Sequence, residues 1–195
     1  DRIVQLGRRA MMVQADVSKS EEVHRMISIT ENELGSIDIL VNNAGFHARG
    51  PVRDVDAADL GRIIDVNLKA PITLTRIALP YLEDAGGGVI VNVASLHGRF
   101  ASAGSTTYSA SKFGLRIFSL ALHEELRDSG IKVAVISPGA VDTGFIMDNI
   151  DEVTDIDVPP VGTTYWYLVR GRNDCGTGSY GAASDLTERV TAVCP

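Results

Sequence analysis

The chain has 195 residues, of which 45% are hydrophobic and 22% charged, a globular composition that argues against disorder over its whole length. Its formal net charge is -7 and no segment concentrates lysine or arginine, so we expect no nucleic-acid partner. Apolar runs stay well short of the roughly 18 residues that suggest a membrane span, so we expect no membrane partner.

Strand-like and helix-like segments alternate from the N-terminus onward, which indicates an α/β fold with a parallel sheet. Apolar runs predict buried strands at Ala10–Ala15, Ile37–Val41, Val89–Val93 and Ile131–Ile136. Helical spacing predicts helices from a capping box at Ser18–Glu21 to Leu34, from Asp56 to Leu82 with a kink at Pro71, and from Thr107 to Asp128. Because three of the strands show no polar alternation, we expect both faces of the sheet to be covered.

Composition divides the chain into two parts. We predict an α/β domain over residues 1–150 and a linker with a β-hairpin-like tail over residues 151–195. Gly176–Gly181 in the tail matches G-x-G-x-x-G, but too little chain follows it for a dinucleotide site, and we interpret it as a glycine-rich hairpin loop. The two cysteines, Cys175 and Cys194, also lie in this tail, and the cysteine-free remainder predicts a cytoplasmic protein.

Tyr108 and Lys112 are four residues apart near the start of a predicted helix, so they share one face of it. A free tyrosine has a pKa near ~10, too high for a base at neutral pH, and a neighbouring ammonium group lowers that pKa. The pair is therefore a candidate general acid/base. Because Y-x-x-x-K is short and common, its alternative interpretation is an ordinary surface helix.

Three further motifs give this pair a context. Ser95 follows a predicted strand, 13 residues before Tyr108, and its hydroxyl is suited to holding a substrate oxygen. Asn42-Asn43-Ala44-Gly45 follows another strand, where small residues let a ligand approach the backbone. Asn67 lies within a predicted helix, where asparagine is locally unfavourable. Each feature alone also has a structural interpretation: Ser95 as a cap at the strand end, Asn42–Gly45 as a plain turn, and Asn67 as an exposed position.

Together with Asp16 and Pro138-Gly139, these motifs resemble the short-chain dehydrogenase/reductase family in order and spacing, over residues 1 to about 147. The resemblance implies a doubly wound, Rossmann-like parallel sheet. It also implies an NAD- or NADP-dependent enzyme that interconverts an alcohol and a ketone or aldehyde by hydride transfer. Its partner would be a small-molecule carbonyl or alcohol substrate.

The resemblance also implies a role at each matching position. The catalytic group would be Tyr108 as acid/base, Lys112 lowering its pKa and holding the nicotinamide ribose, Ser95 fixing the substrate oxygen, and Asn67 supporting a proton-relaying water. The cofactor would be bound by Asp16 and Val17 at its adenine, by Asn42, Asn43, Ala44 and Gly45 along the cleft, and by Pro138, Gly139 and Thr143 at its nicotinamide.

The chain departs from the family pattern at both ends. The first βαβ unit, with its glycine-rich phosphate-binding turn, does not precede Asp1, so we interpret the chain as a fragment and cannot read NAD against NADP. The segment Pro159–Arg170 resembles the last hairpin of a fibronectin type III-like module, which would allow a Cys175–Cys194 disulfide. An inactive truncated or chimeric remnant and, less favoured, a binding module in the tail are therefore the alternatives to an active enzyme.

Two expectations concern assembly and metals. The resemblance implies a homodimer or homotetramer formed through the two long helices. His47, His97 and His123 have no suitably spaced acidic or cysteine partners, so we interpret them as incidental and predict no metal site.

Overall fold

The computed structural model describes residues 9–139, together with Ile3 and Gly7. Described residues up to Val135 belong to one compact unit, and those from Ile136 to Gly139 belong to a second. Thr143, both cysteines and the predicted tail at 151–195 lie outside the described residues, so the predicted boundary at residue 150 stays a prediction.

The described helices and strands alternate as the sequence predicts. The helices are α1 (Ser20–Leu34), α2 (Ala57–Ile64), α3 (Ala70–Asp84) and α4 (Thr106–Glu125), and the strands are β1 (Ile39–Asn42), β2 (Gly88–Val93) and β3 (Ile131–Ile136). Strand β2 lies between β1 and β3. Strands β1 and β2 are parallel, with Ile39 opposite Val89 and Asn42 opposite Asn92. The predicted α/β class with a parallel sheet is confirmed.

Helix α1 is confirmed, but the predicted capping box is wrong. Lys19 is the N-cap residue and its side chain makes no capping hydrogen bond. The Ser18 hydroxyl instead donates to the Asp16 carboxylate at 2.7 Å, and it makes no capping hydrogen bond with the first turn of α1. By contrast, Asp56 caps α2 as predicted, because its carboxylate accepts a hydrogen bond from the Ala58 N–H at 2.7 Å.

The predicted buried strand at Ala10–Ala15 is also wrong. This segment forms neither a strand nor a helix, and Met12 is 95% exposed. A strand is defined by hydrogen bonds to a neighbouring strand, and none of the described strands pairs with this segment. An apolar run alone therefore did not decide its structure.

The long helix predicted from Asp56 to Leu82 is interrupted but does not end at Pro71. A π-helical turn at Asp65–Lys69 joins α2 to α3, and Pro71 lies in the first turn of α3. Proline has no N–H to donate to the carbonyl of Asn67, four residues earlier, so the regular hydrogen-bond series breaks at this point. The wider turn accommodates that break, and it contains Asn67.

The two faces of the sheet differ, which corrects the expectation that both are covered. On one face the helices enclose a core formed by Val23, Ile27, Leu40, Leu74, Ala78, Leu82, Ile90, Leu122 and Ile131. On the other, Ile39 is 62% and Val41 54% exposed, so β1 alternates between buried and exposed residues. In the part of the chain that the structure describes, helices pack against one face of β1 only.

A buried polar chain links the sheet to the helices. The Asn42 amide donates to the Asn92 side-chain oxygen at 2.7 Å, and the Asn92 amide donates to the Ser119 hydroxyl at 2.8 Å. Ser119 in turn donates to the Leu115 carbonyl at 2.7 Å. Buried amides are costly without partners, so this series of hydrogen bonds fixes α4 against the carboxyl ends of β1 and β2.

Of the described helices, none has the length and apolar character needed to cross a bilayer.

Candidate active site

The predicted catalytic residues come together where parallel strands β1 and β2 end. Ser95 lies two residues beyond β2, and the Asn42–Gly45 motif begins at the last residue of β1. Tyr108 and Lys112 project from the first turns of α4, and both are buried. Ligand sites in open parallel sheets form at this carboxyl edge, because the loops that follow neighbouring strands meet there.

Lys112 is held against the end of β2. Its ammonium group donates a hydrogen bond of 2.8 Å to the Val93 carbonyl and lies 5.8 Å from the centroid of the Tyr108 ring. The lysine is 4% exposed and the tyrosine 7%. The structure therefore places the two groups side by side in a desolvated position, on one face of the helix as predicted.

Burial shifts the pKa of both groups. It raises the pKa of Tyr108 above its ordinary value, and a hydrogen bond with Ser95 offsets part of that rise. It also lowers the pKa of Lys112 to about 8, because the charged ammonium group loses hydration. The direction at Tyr108 is opposite to the predicted lowering by lysine, since the same burial that brings the groups together disfavours the charged form of each.

Ser95 is positioned by a short turn. It is the N-cap of a 3-10 turn at Leu96–Gly98, and its hydroxyl oxygen accepts a hydrogen bond of 3.2 Å from the His97 N–H. The turn packs closely on α4, because a Cβ atom on Gly98 would lie 2.7 Å from the Lys112 carbonyl oxygen. Glycine at position 98 thus allows Ser95 to approach the Tyr108–Lys112 face of the helix.

Asn67 binds backbone rather than facing solvent. Its side-chain oxygen accepts from the Phe46 N–H at 2.7 Å, and its amide donates to the Phe46 carbonyl at 2.8 Å and to the Ser111 hydroxyl at 3.2 Å. The residue is completely buried. It therefore joins the segment after the Asn42–Gly45 motif to α4, and its predicted support of a water molecule stays a prediction.

A cleft of about 990 Å³ gathers four of the predicted cofactor-binding residues. Its lining includes Asp16, Val17, Ala44 and Gly45. Asn43 is exposed, and its N–H donates to the Val41 carbonyl at 3.1 Å, while Pro138 and Gly139 follow β3 after one intervening residue. The described residues contain no group of three His, Cys, Asp or Glu side chains that could hold a metal ion.

Comparison with known proteins agrees with this geometry. A family model described as short chain dehydrogenase matches residues 1–153. The chain belongs to the short-chain dehydrogenase/reductase family. A solved short-chain dehydrogenase from Streptomyces avermitilis is 32% identical, with a TM-score of 0.68, over 73% of this chain and 52% of that one.

Two curated relatives extend the comparison. The ketoacyl reductase HetN of Nostoc sp. strain PCC 7120 is 36% identical over 143 residues, which are 73% of this chain and 50% of that protein. An uncharacterized oxidoreductase of Staphylococcus aureus strain MRSA252, SAR2567, is 36% identical over 134 residues, which are 69% of this chain and 58% of that protein. The chain therefore spans about half the length of the relatives it matches.

The sequence analysis missed two residues that the fold places beside Tyr108. His47 and His97, interpreted as incidental, both pack their rings edge-on against the tyrosine ring. A signal existed in the spacing: His47 lies five residues after Asn42 and His97 lies five residues after Asn92, and these two asparagines are paired across β1 and β2. Since those strands are neighbours in a parallel sheet, equal offsets place both histidines at the same edge.

Proposed function

We propose that the full-length protein is an NAD(P)-dependent oxidoreductase that interconverts an alcohol and a ketone or aldehyde. The observation that carries the proposal is the convergence of Ser95, Tyr108 and Lys112 in one desolvated corner. It agrees with membership of a family whose members use NAD or NADP.

Tyr108 is the proton donor in the direction of reduction. Its raised pKa keeps the phenol protonated at neutral pH, so the hydroxyl can pass its proton to the substrate oxygen as the carbonyl becomes an alcohol. The Ser95 hydroxyl holds the same oxygen and stabilises the negative charge that develops on it. In the reverse direction Tyr108 accepts the proton, which requires the phenolate and favours alkaline pH.

The cofactor would lie in the cleft described above. Backbone and small side chains at Ala44 and Gly45 leave space for a flat ligand, and Asp16 and Val17 line the same space for its adenine end. Lys112 would hold the ribose through its ammonium group, although in this structure that group donates to the Val93 carbonyl. When bound, the nicotinamide supplies or accepts the hydride.

A single substitution tests the proposal. The full-length protein is assayed with NADH and NADPH against a panel of ketones and aldehydes, with Tyr81→Phe as the matched control on α3. Because Tyr108→Phe removes the proton donor and keeps the ring, we expect turnover to fall about 100- to 10,000-fold. Full turnover by Tyr108→Phe would contradict the assigned role, and absence of both turnover and cofactor binding in the unmodified protein would favour the inactive remnant.

We further propose that the protein forms a homodimer through α4. Phe113, Ile117 and Leu120 expose apolar side chains along one stripe of this helix, and Ile72 on α3 is also exposed. Adjacent exposed apolar side chains indicate an interaction surface. Light scattering is expected to show a dimer that Ile117→Glu dissociates and Val52→Glu, an exposed apolar residue on another segment, leaves intact. A monomeric unmodified protein would contradict this proposal.

A further inference from the structure

Two histidine rings enclose the catalytic tyrosine. The His47 ring centroid lies 4.4 Å from that of Tyr108 at an interplanar angle of 67°, and the His97 centroid lies 5.6 Å away at 77°. Both histidines are half-buried. A substrate whose oxygen rests on Tyr108 and Ser95 would therefore lie close to imidazole nitrogen atoms.

Hydrogen bonds fix the segments that carry these rings. His47 Nε2 and the Ser105 hydroxyl are 3.3 Å apart, and the Gly50 N–H donates to the Gly104 carbonyl at 2.9 Å, which ties the loop after β1 to the loop before α4. The backbone N–H of His97 donates to the Ser95 hydroxyl oxygen. The segments that carry the two imidazoles are thus held in place relative to the proposed catalytic hydroxyls, as a recognition site requires.

The charge around the rings is of one sign. The charged groups that act on His47 are His97 and Arg49, and the one that acts on His97 is Arg49. Burial and these cationic neighbours lower the pKa of both histidines below 6.5, and no carboxylate among the described residues opposes the shift. If the rings served only to pack against one another, they would need no charged neighbour. Here the imidazole and guanidinium groups are hydrogen-bond donors, and within residues 9–139 no anionic side chain acts on the two histidines.

We propose that His47 and His97 select substrates that carry a carboxylate near the reacting carbon, so that the enzyme acts on oxo acids and the corresponding hydroxy acids. This inference rests on the proposed function. With Tyr108 and Ser95 on the reacting oxygen, the two imidazoles and the exposed Arg49 supply a few directed donors, which suit the two oxygens of a carboxylate. The rings act as specificity determinants, and Tyr108 keeps the proton transfer.

The pH dependence of binding follows from the sign of the shift. A carboxylate favours the imidazolium form, so binding takes up a proton when the histidines are neutral beforehand. The affinity for an oxo acid therefore rises as the pH falls through 6.5 toward the lowered pKa values of the two rings. An uncharged ester of the same acid gains nothing from imidazolium and should bind independently of pH in that range.

The test compares four- and five-carbon oxo acids with their methyl esters as substrates of the full-length protein. His47→Asn and His97→Asn keep a polar side chain and remove the cationic form, and His123→Asn on the exposed side of α4 is the control. Since hydrogen bonds to charged groups are the strong ones, we expect either site variant to raise KM for the acid about tenfold or more. KM for the ester should change less than about twofold, and His123→Asn should change neither value.

A second measurement does not depend on turnover. In the Tyr108→Phe variant, imidazole nitrogen shifts of His47 and His97 are followed by NMR as pH is varied, with and without an oxo acid. We expect the acid to raise the pKa of at least one ring and the ester to raise neither. Esters reduced as well as acids, with no pH-dependent difference in KM, would overturn the inference while leaving the proposed function intact. Acid-dependent pKa shifts without any carbonyl reduction would support the carboxylate site and contradict the function.

Discussion

The two faces of α4 reverse the usual arrangement of a surface helix. Its inner face buries polar side chains at Tyr108, Ser111, Lys112 and Ser119 together with Leu115 and Leu122, whereas its outer face exposes Phe113, Ile117 and Leu120. Ordinary amphipathic helices place apolar residues inward and polar residues outward. Here the inner face carries the proposed catalytic residues Tyr108 and Lys112 near its beginning and packs Leu115 and Leu122 into the interior toward its end.

The difference between the faces shows what each requires. A buried polar group is costly without a hydrogen-bond partner, and Ser111, Lys112 and Ser119 each donate to a backbone carbonyl. An exposed apolar stripe has no such internal requirement, and its apolar area remains available for an intermolecular contact. Removal of a single hydrogen-bonding atom on the inner face should therefore change stability, whereas the contact made by the outer face depends on its total apolar area.

The largest effect is expected at Lys112, as a dependence of stability on pH. Its pKa is about 8 in the folded protein against 10.5 for a free lysine, so between these values the unfolded chain binds more protons than the folded one. As the pH is raised from about 8 to 10.5, the free energy of unfolding of the unmodified protein should therefore increase by roughly 3 kcal/mol relative to that of Lys112→Met. Urea unfolding at several pH values measures this, and an unchanged difference would contradict the buried position.

Gly98→Ala should have the next largest effect, because it acts on the inner face from the opposing turn. Its Cβ would meet the Lys112 carbonyl oxygen at 2.7 Å, so either the turn or α4 must shift. We expect a loss of about 2 kcal/mol in unfolding free energy and a lower kcat, since Ser95 moves with the turn. Gly61→Ala, which meets open space on α2, is the control and should be stable and active. Equal stability of the two variants would contradict the close packing.

The smallest of the three effects is expected at Ser119, farther from the chemistry. Ser119→Ala leaves the Asn92 amide buried without the acceptor it now uses at 2.8 Å. The unfolding free energy should fall by about 1 kcal/mol, while kcat stays close to that of the unmodified protein. Ser28→Ala, an exposed serine of α1, serves as the comparison and should be neutral in thermal unfolding. A neutral Ser119→Ala would show that water replaces the hydroxyl.

The fold could be predicted wherever a local rule decides the structure. Asp56 caps α2 and Gly35 ends α1 because those residues satisfy helix ends on their own. The segment Ala10–Ala15 could not be assigned from its apolar run, because a strand exists only by pairing with another strand. The exposed face of β1 was unpredictable for a related reason, since coverage depends on elements elsewhere in the chain.

The same division holds within the candidate site. Tyr108 and Lys112 were predictable because four residues of helix place them on one face. The packing of His47 and His97 on Tyr108 depends on two loops that meet only after β1 and β2 pair, so the spacing of the histidines has meaning only once that pairing is known. The raised pKa of Tyr108 likewise depends on how deeply the fold buries the ring, a quantity that the motif does not contain.

The amide of Asn67 limits which residues evolution can place at that position. It presents an acceptor and a donor to the N–H and C=O of Phe46, as the edge of a strand would. Aspartate has no donor for that carbonyl, glutamine is one methylene too long, and serine is too short to span both groups. Homologous chains that keep the same loop geometry should therefore keep asparagine at this position whatever substrate they reduce. A sequence that replaces it must carry the loop on a different backbone path.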